Sequence, residues 1–289
     1  MTTLPNLVAV SGIAGLATGL GALPVFFRAW VTHRAYDAAL GLAAGLMVAA
    51  SVFGLILPGM EAGTLGAVMA GLLLGGAALL GGNYAIPHLH AQYRAWLPEG
   101  GATGEDAAIR TGDGPTVDEP GARAVAGDGS LSAATAAREV TLRKALLIGG
   151  AITLHNAPEG LAIGVAFASG LEEVALLLAV VIGLQNVPDG FAFAVPMADT
   201  GMSNLRVLWY TTLSGLVPQV VASVFGFLLV GLAAGLFPVS AGFAAGAMLA
   251  VVFRELIPSS HGHGHADAAT GAFLVGFVLL VVVDAVLAV

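Results

Sequence analysis

The amino-acid sequence predicts an all-α integral membrane protein of eight transmembrane helices. Three observations carry that prediction. Of 289 residues, 57% are hydrophobic and only 10% charged, a balance well outside that of water-soluble domains. Eight stretches are apolar enough and long enough to span a bilayer, which takes about 20 helical residues. Forty-one glycines suit helices that approach backbone to backbone in lipid, where small residues replace hydrophobic burial as the means of association.

Taken in order, the predicted spans are 6–27, 38–59, 64–86, 144–169, 173–197, 207–233, 237–258 and 270–288. The first lacks a basic n-region and a small-residue cleavage site, and it carries Gly15, Gly19 and Gly21. It therefore reads as a retained, packing helix rather than a leader. The chain divides into helices one to three (1–96), a loop (97–140) and helices four to eight (141–289). The loop is rich in Gly, Ala, Asp, Glu and Thr and cannot bury enough apolar area to offset its ordering entropy, so disorder is expected there. Its carboxylates read as a solvated acidic tether.

Charge sets the orientation. All ten basic residues fall in odd-numbered loops or at helix ends beside them: Arg28 and Arg34, then Arg94 through Lys144, then Arg206, then Arg254. The even loops have none. By the excess of Lys and Arg on cytoplasmic sides, the odd loops face the cytoplasm and both termini lie outside, in the cell (inner) membrane. The net charge of −8 offers no basic surface for a polyanion, which excludes nucleic acid as a partner. With no cysteine, any metal must be held by nitrogen and oxygen.

The chemistry sits in the fourth and fifth spans. His155-Asn156-Ala157-Pro158-Glu159-Gly160 in one is answered by Gln185-Asn186-Val187-Pro188-Asp189-Gly190 in the other, an internal repeat of imidazole or amide, Asn, apolar, Pro, carboxylate and Gly. Residues four apart share a helical face, so His155 projects with Glu159, and Gln185 with Asp189. Asn156 and Asn186 are turned by about 100° from their predecessors. Each proline removes a backbone donor and bends the helix beside the ligands, while Gly160 and Gly190 admit a neighbouring helix. Ionisable groups at mid-membrane cost several kcal/mol unless paired, hydrated or ion-bound. One imidazole, one amide oxygen and two carboxylates make a charge-neutral cage for a divalent ion of borderline hardness, such as Zn²⁺, Cd²⁺, Fe²⁺ or Mn²⁺. No organic cofactor is expected beside such an ion.

These residues closely resemble the ZIP (Zrt/Irt-like) metal transporters, particularly their GufA-like prokaryotic branch. The likeness runs from about Asp37 to the C-terminus and rests on HNAPEG at 155–160, QNVPDG at 185–190, LAAGLMVAASVFGLILPG at 42–59 and AAGAMLAVVFRELIP at 244–258. The resemblance implies an eight-helix core, extracellular termini, a long cytoplasmic loop after the third helix, and an often binuclear metal site on helices four and five. It places His155, Glu159, Gln185 and Asp189 at the main site, with Asn156 and Asn186 facing a second. Many relatives have Asp where Asn186 stands, and a sixth-helix Glu that aligns with Pro218, next to Gln219. The second position is thus poor in charge.

Further polar residues line a candidate pathway. Glu255 stands beside Arg254 toward the cytoplasmic end of the seventh helix, where it coordinates exiting metal or pairs with the arginine. Gln219 supplies a neutral oxygen or a packing contact. His88 and His90 follow the third helix as metal acceptors or interfacial caps. His261, His263 and His265 form an HGHGH run before the last helix that binds zinc loosely or is a passive loop. Asp37 and Asp284 read as isolated acids with helix-end or packing roles.

The leading functional expectation is secondary transport of a divalent transition metal, zinc foremost, into the cytoplasm. No nucleotide-binding loop is present to supply ATP, and a midplane site between broken helices suits alternating access. The alternatives are a membrane-embedded metal-dependent hydrolase and a metal-gated sensor without flux. Against the hydrolase, His155 has Glu159 rather than a second histidine four residues on, and a cage full of ligands leaves no open position for water. Beyond the metal ion and the lipid bilayer, the glycine faces permit a homodimer without requiring one.

Overall fold

A computed structural model describes residues 3–27, 32–94, 155–199 and 201–287. All secondary structure among the described residues is helical. Helix α1 spans Leu4–Leu20 and runs into a short 3-10 turn, Leu23–Phe26. Helix α2 covers His33–Ala62 and α3 covers Leu65–Arg94. The described part of α4 is 155–168. Helices α5, α6, α7 and α8 follow at Glu172–Asp199, Asn204–Leu232, Phe237–Ser260 and Ala266–Leu287. Seven of these are long and apolar enough to cross a membrane; the predicted fourth crossing and the loop at 97–140 extend outside the described residues. The chain is a multi-pass membrane protein.

Local chemistry explains the helix ends. Thr32 caps α2 by accepting a hydrogen bond from the Ala35 N–H at 3.1 Å, and Thr64 caps α3 through Ala67 N–H at 3.2 Å, so each satisfies a first-turn donor that has no helical partner. Gly170 and Gly201, at φ of 77° and 81°, close α4 and α5 in the left-handed conformation that other residues adopt only with strain. Because α2 starts at His33 and not near residue 38, as hydropathy alone suggests, its polar first turn carries His33 and Asp37 on one continuous helix.

Helices α2 and α7 share an irregularity that hydropathy does not show. Each contains a π-helical turn, Ala50–Ile56 in α2 and Val252–Leu256 in α7. Both end beside the same pattern, Phe53 to Pro58 and Phe253 to Pro258, in which two branched aliphatics precede the proline. The proline ring excludes the bond to the carbonyl four residues back, and a widened turn is how helices in lipid re-pair carbonyls so released.

Packing is organised by glycine. Gly41 and Gly45 of α2 lie against the backbone of α8 at Ala269 and Phe273, leaving no room for a Cβ. In the same way Gly71 and Gly75 of α3 meet Val239 and Phe243 of α7, and Gly242 and Gly246 return the contact at Val68 and Leu72. Thus α2 pairs with α8 as α7 pairs with α3, while α1 lies against both α5 and α6. Glycine–carbonyl proximity replaces side-chain interdigitation because lipid tails compete equally well for apolar side chains. Outward faces of α6 and α8 carry Trp209, Val221, Phe225, Leu274, Val275 and Val278, all exposed, as lipid-facing residues should be. The interior belongs to α2, α4, α5 and α7.

Candidate metal centre

The duplicated motif converges. His155, Glu159 and Asp189 each offer a ligand atom, and these atoms all lie within 4.8 Å of one another. Among the described residues this is the one such set. His155 is 6% exposed, Glu159 0% and Asp189 8%, so the three occupy the bundle interior. Imidazole Nε2 stands 3.5 Å from Asp189 Oδ2, and the other ring nitrogen, Nδ1, is 3.9 Å from Glu255 Oε2 on α7. Gln185 reaches across from α5 and donates from Nε2 to Glu159 Oε1 at 2.6 Å.

The remaining lone pairs are what make the site distinctive. Glu159 Oε2, Gln185 Oε1, Asn186 Oδ1 and both Asp189 carboxylate oxygens are buried and have no hydrogen-bond partner among the described residues. A buried acceptor without a donor costs about 1–3 kcal/mol, and more when it is charged. Beside the imidazole of His155, the Glu159 and Asp189 oxygens form a donor set that a cation would satisfy. The chemical makeup, one imidazole with carboxylate and amide oxygens, suits a borderline divalent ion.

The amides are arranged differently. Asn186 Nδ2 donates at 2.8 Å both to Gln219 Oε1 and to the Ala14 carbonyl, and Gln219 Nε2 donates to the Ser11 carbonyl at 3.2 Å. Ser11 Oγ in turn donates to the Gln219 carbonyl at 3.3 Å. Gln219, fully buried, is therefore committed to an amide network tying α5 and α6 to α1. Asn156 Nδ2 lies 3.5 Å from the Ser214 carbonyl, again on α6.

Each glycine of the repeat brings a neighbour to the site. A Cβ on Gly160 would collide with the Gln219 carbonyl of α6, and one on Gly190 with the Thr18 carbonyl of α1. The two halves of the motif thus recruit different helices by the same device. Both prolines lie within helical segments, Pro158 in α4 and Pro188 in α5.

Of the other candidates, Glu255 joins the site through His155 and is partly exposed. His88 and His90 lie in α3, but their side chains fall outside those described. His261 folds back on its own helix end, with Nδ1 3.0 Å from the Ile257 carbonyl. Asp37, read from the sequence as an isolated acid, is not isolated: it is fully buried and its Oδ1 is 2.8 Å from His263 Nδ1. Its partner lies 226 positions away in the chain, beyond the reach of local pattern. One signal was available, since His33 and Asp37 repeat the four-residue spacing of His155 and Glu159.

No family profile matches the chain. Individual relatives do. It is 35% identical over 281 residues to the "Zinc transporter GufA" of Myxococcus xanthus, covering 94% of this chain and 95% of that one. The chain belongs to the ZIP family of metal transporters. Its "Zinc transporter ZIP11" relative from Homo sapiens is 35% identical over 318 residues, with 92% of this chain and 93% of the relative aligned. "Zinc transporter ZIPB" of Bordetella bronchiseptica is 37% identical over 298 residues, with 96% and 80% aligned. As a member of a transporter family it is not an enzyme, and the hydrolase alternative falls away.

Proposed function

We propose that this ZIP protein moves zinc and related divalent transition metals across the membrane toward the cytoplasm, through a site built by His155, Glu159, Gln185 and Asp189. The single observation that supports the site most strongly is the set of buried acceptors without donors around the His155–Glu159–Asp189 cluster. Two carboxylates balance the charge of one dication, which removes the cost of burying either alone. The relatives named zinc transporters favour zinc as cargo. A sensor without flux has no observation in its favour.

In this reading eight helices cross the membrane, both termini lie outside, and Pro158 and Pro188 bend α4 and α5 at the site, where broken helices serve alternating access. Asn156 and Asn186 stand beside the primary ion. Asn186 donates its amide hydrogens to Gln219 and to the Ala14 carbonyl, and Gln219 donates to the Ser11 carbonyl, so the neighbouring position holds a neutral network in place of a second pair of carboxylates. One metal binds tightly. Glu255, facing the second imidazole nitrogen, orients His155 in the manner of a carboxylate behind a metal-bound histidine, and receives the ion as it leaves.

Uptake by purified protein in proteoliposomes, measured across a panel of Zn²⁺, Cd²⁺, Fe²⁺ and Mn²⁺, tests the proposal. Saturable zinc flux that disappears in a folded Glu159→Ala protein is the expected result. Wild-type flux in that variant would overturn the site, and absence of flux with intact binding would overturn the transport reading.

A further inference from the structure

Where α2 begins and α7 gives way to α8, three side chains unconnected with the central cluster come together. His33 and His263 stack with ring centroids 4.7 Å apart and planes inclined by 18°. Asp37, 0% exposed, lies beneath them with Oδ1 2.8 Å from His263 Nδ1. Its second oxygen, Oδ2, is buried with no hydrogen-bond partner among the described residues. Tyr36 closes the inner side: its ring meets His263 edge-on at 5.3 Å and Phe191 at 6.0 Å, and its hydroxyl donates to the Ala192 carbonyl at 3.3 Å.

A carboxylate that is buried and held to one nitrogen of a half-exposed imidazole is the arrangement found behind metal-bound histidines. The carboxylate fixes the tautomer with the proton on the near nitrogen, orients the ring, and raises the basicity of the far nitrogen. Here that leaves His263 Nε2 as the metal-facing atom. His33 lies near-parallel at ring-stacking distance, and both imidazoles reach solvent, so rotation of the His33 side chain alone, with His263 held by Asp37, brings a second nitrogen to the same ion. Gly262 and Gly264 flank His263, and Gly264 has φ of 85°, a backbone that lets the loop follow the ion. A structural tie between α2 and the loop requires neither a second stacked imidazole nor a carboxylate with one oxygen that has no donor among the described residues.

We propose that His33 and His263 form a second metal site for a borderline divalent cation, with Asp37 as the residue that positions His263. The site deepens the transport reading by its place: Phe191 follows Asp189 by two residues on α5, and Tyr36 bridges Phe191 to His263, so the pair lies next along the bundle from the central cluster. An ion released there meets a solvent-facing site of two imidazoles with its single carboxylate behind them, which binds more weakly than a cage with two carboxylates and lets go more readily.

Equilibrium zinc binding to the detergent-purified full chain tests this independently of flux. The central cluster is disabled with His155→Ala and Glu159→Ala, and the flanking histidines are removed with His261→Ala and His265→Ala. One zinc equivalent should remain, and Co²⁺ in its place should give visible absorption bands of nitrogen coordination. Adding His33→Ala or His263→Ala should abolish that equivalent, whereas Asp37→Asn, which keeps the size of the buried side chain, should weaken it by about 10–100-fold. His33→Ala removes an exposed side chain, whereas His263→Ala also strips the buried Asp37 of its partner, so His33→Ala is the deciding variant and thermal unfolding verifies that each protein is folded. No residual zinc in the four-substitution background, or residual zinc indifferent to His33→Ala and His263→Ala, would overturn the proposal. A protein that binds here yet carries no metal would instead overturn the transport reading and leave this site standing.

Discussion

His155 and Asp189 face one another across the interface of α4 and α5, with Nε2 3.5 Å from Oδ2. Neither residue's own helix determines that distance. Glycines at 160 and 190, in the same two segments, admit the backbones of α6 and α1. The proposed metal ligands and the packing glycines therefore share one six-residue motif, and the predictions below separate the two roles.

Removing charge from the site should be costlier than removing a neutral ligand. Glu159→Ala is expected to abolish uptake and to weaken zinc binding by more than about 100-fold, and His155→Ala by about 10–100-fold. Equilibrium binding and uptake on the same preparations check the order. His155→Ala weaker than Glu159→Ala would show that the imidazole, and not the carboxylate, dominates the cage.

Zinc affinity should fall as pH falls. Imidazole and carboxylates bind metal only when deprotonated, so protons compete with the ion for His155, Glu159 and Asp189 and are released when it binds. Calorimetry in two buffers of different ionisation enthalpy measures the protons released, which should diminish in His155→Ala. A pH-independent affinity would exclude these ligands.

Asn186→Asp should favour a second ion. With one dication neutralising Glu159 and Asp189, a further ion meets repulsion in an interior of low dielectric, and a new carboxylate at 186 offsets it. The substitution also disrupts the donation to Gln219 and Ala14, so some loss of thermal stability is expected. Two equally tight intramembrane zinc ions in the unsubstituted protein, with the loop histidines replaced, would show that Gln219, Glu255 or water supplies what the carboxylates do not.

Gly160→Leu and Gly190→Leu should each destabilise the protein by at least about 1–3 kcal/mol, the cost of forced overpacking, because the added side chain meets a carbonyl of α6 or α1. Leucine at Gly66 or Gly271, where nothing lies within 4 Å of a Cβ, should be tolerated. Melting temperatures in detergent compare the four. Equal effects at all positions would deny the close approach at the motif.

A tag placed within 110–130 should be shielded from membrane-impermeant reagents in intact cells and become reactive on permeabilisation. The asymmetry of Lys and Arg requires this. Labelling without permeabilisation would invert the orientation, and with it the direction assigned to the His33–His263 site.

Much of this protein was legible one residue at a time. Spanning segments follow from composition, because lipid forces every backbone group into an internal hydrogen bond and leaves helix as the local solution. His155 with Glu159, and Gln185 with Asp189, follow from the four-residue period of that helix. What the sequence could not decide was who meets whom across helices. Whether Gln219 serves metal or packing was undecidable from its neighbours, and the fold, in which Gly160 lies against the α6 backbone, turns it toward Asn186 and Ser11. Asp37 looked solitary because its partner, His263, lies at the other end of the chain; only the pairing of α2 with α7 and α8 brings them together. Local periodicity fixes the face on which a side chain projects, whereas the identity of the opposing face is set by backbone contacts between glycines and carbonyls distant in sequence, and those belong to the tertiary structure alone.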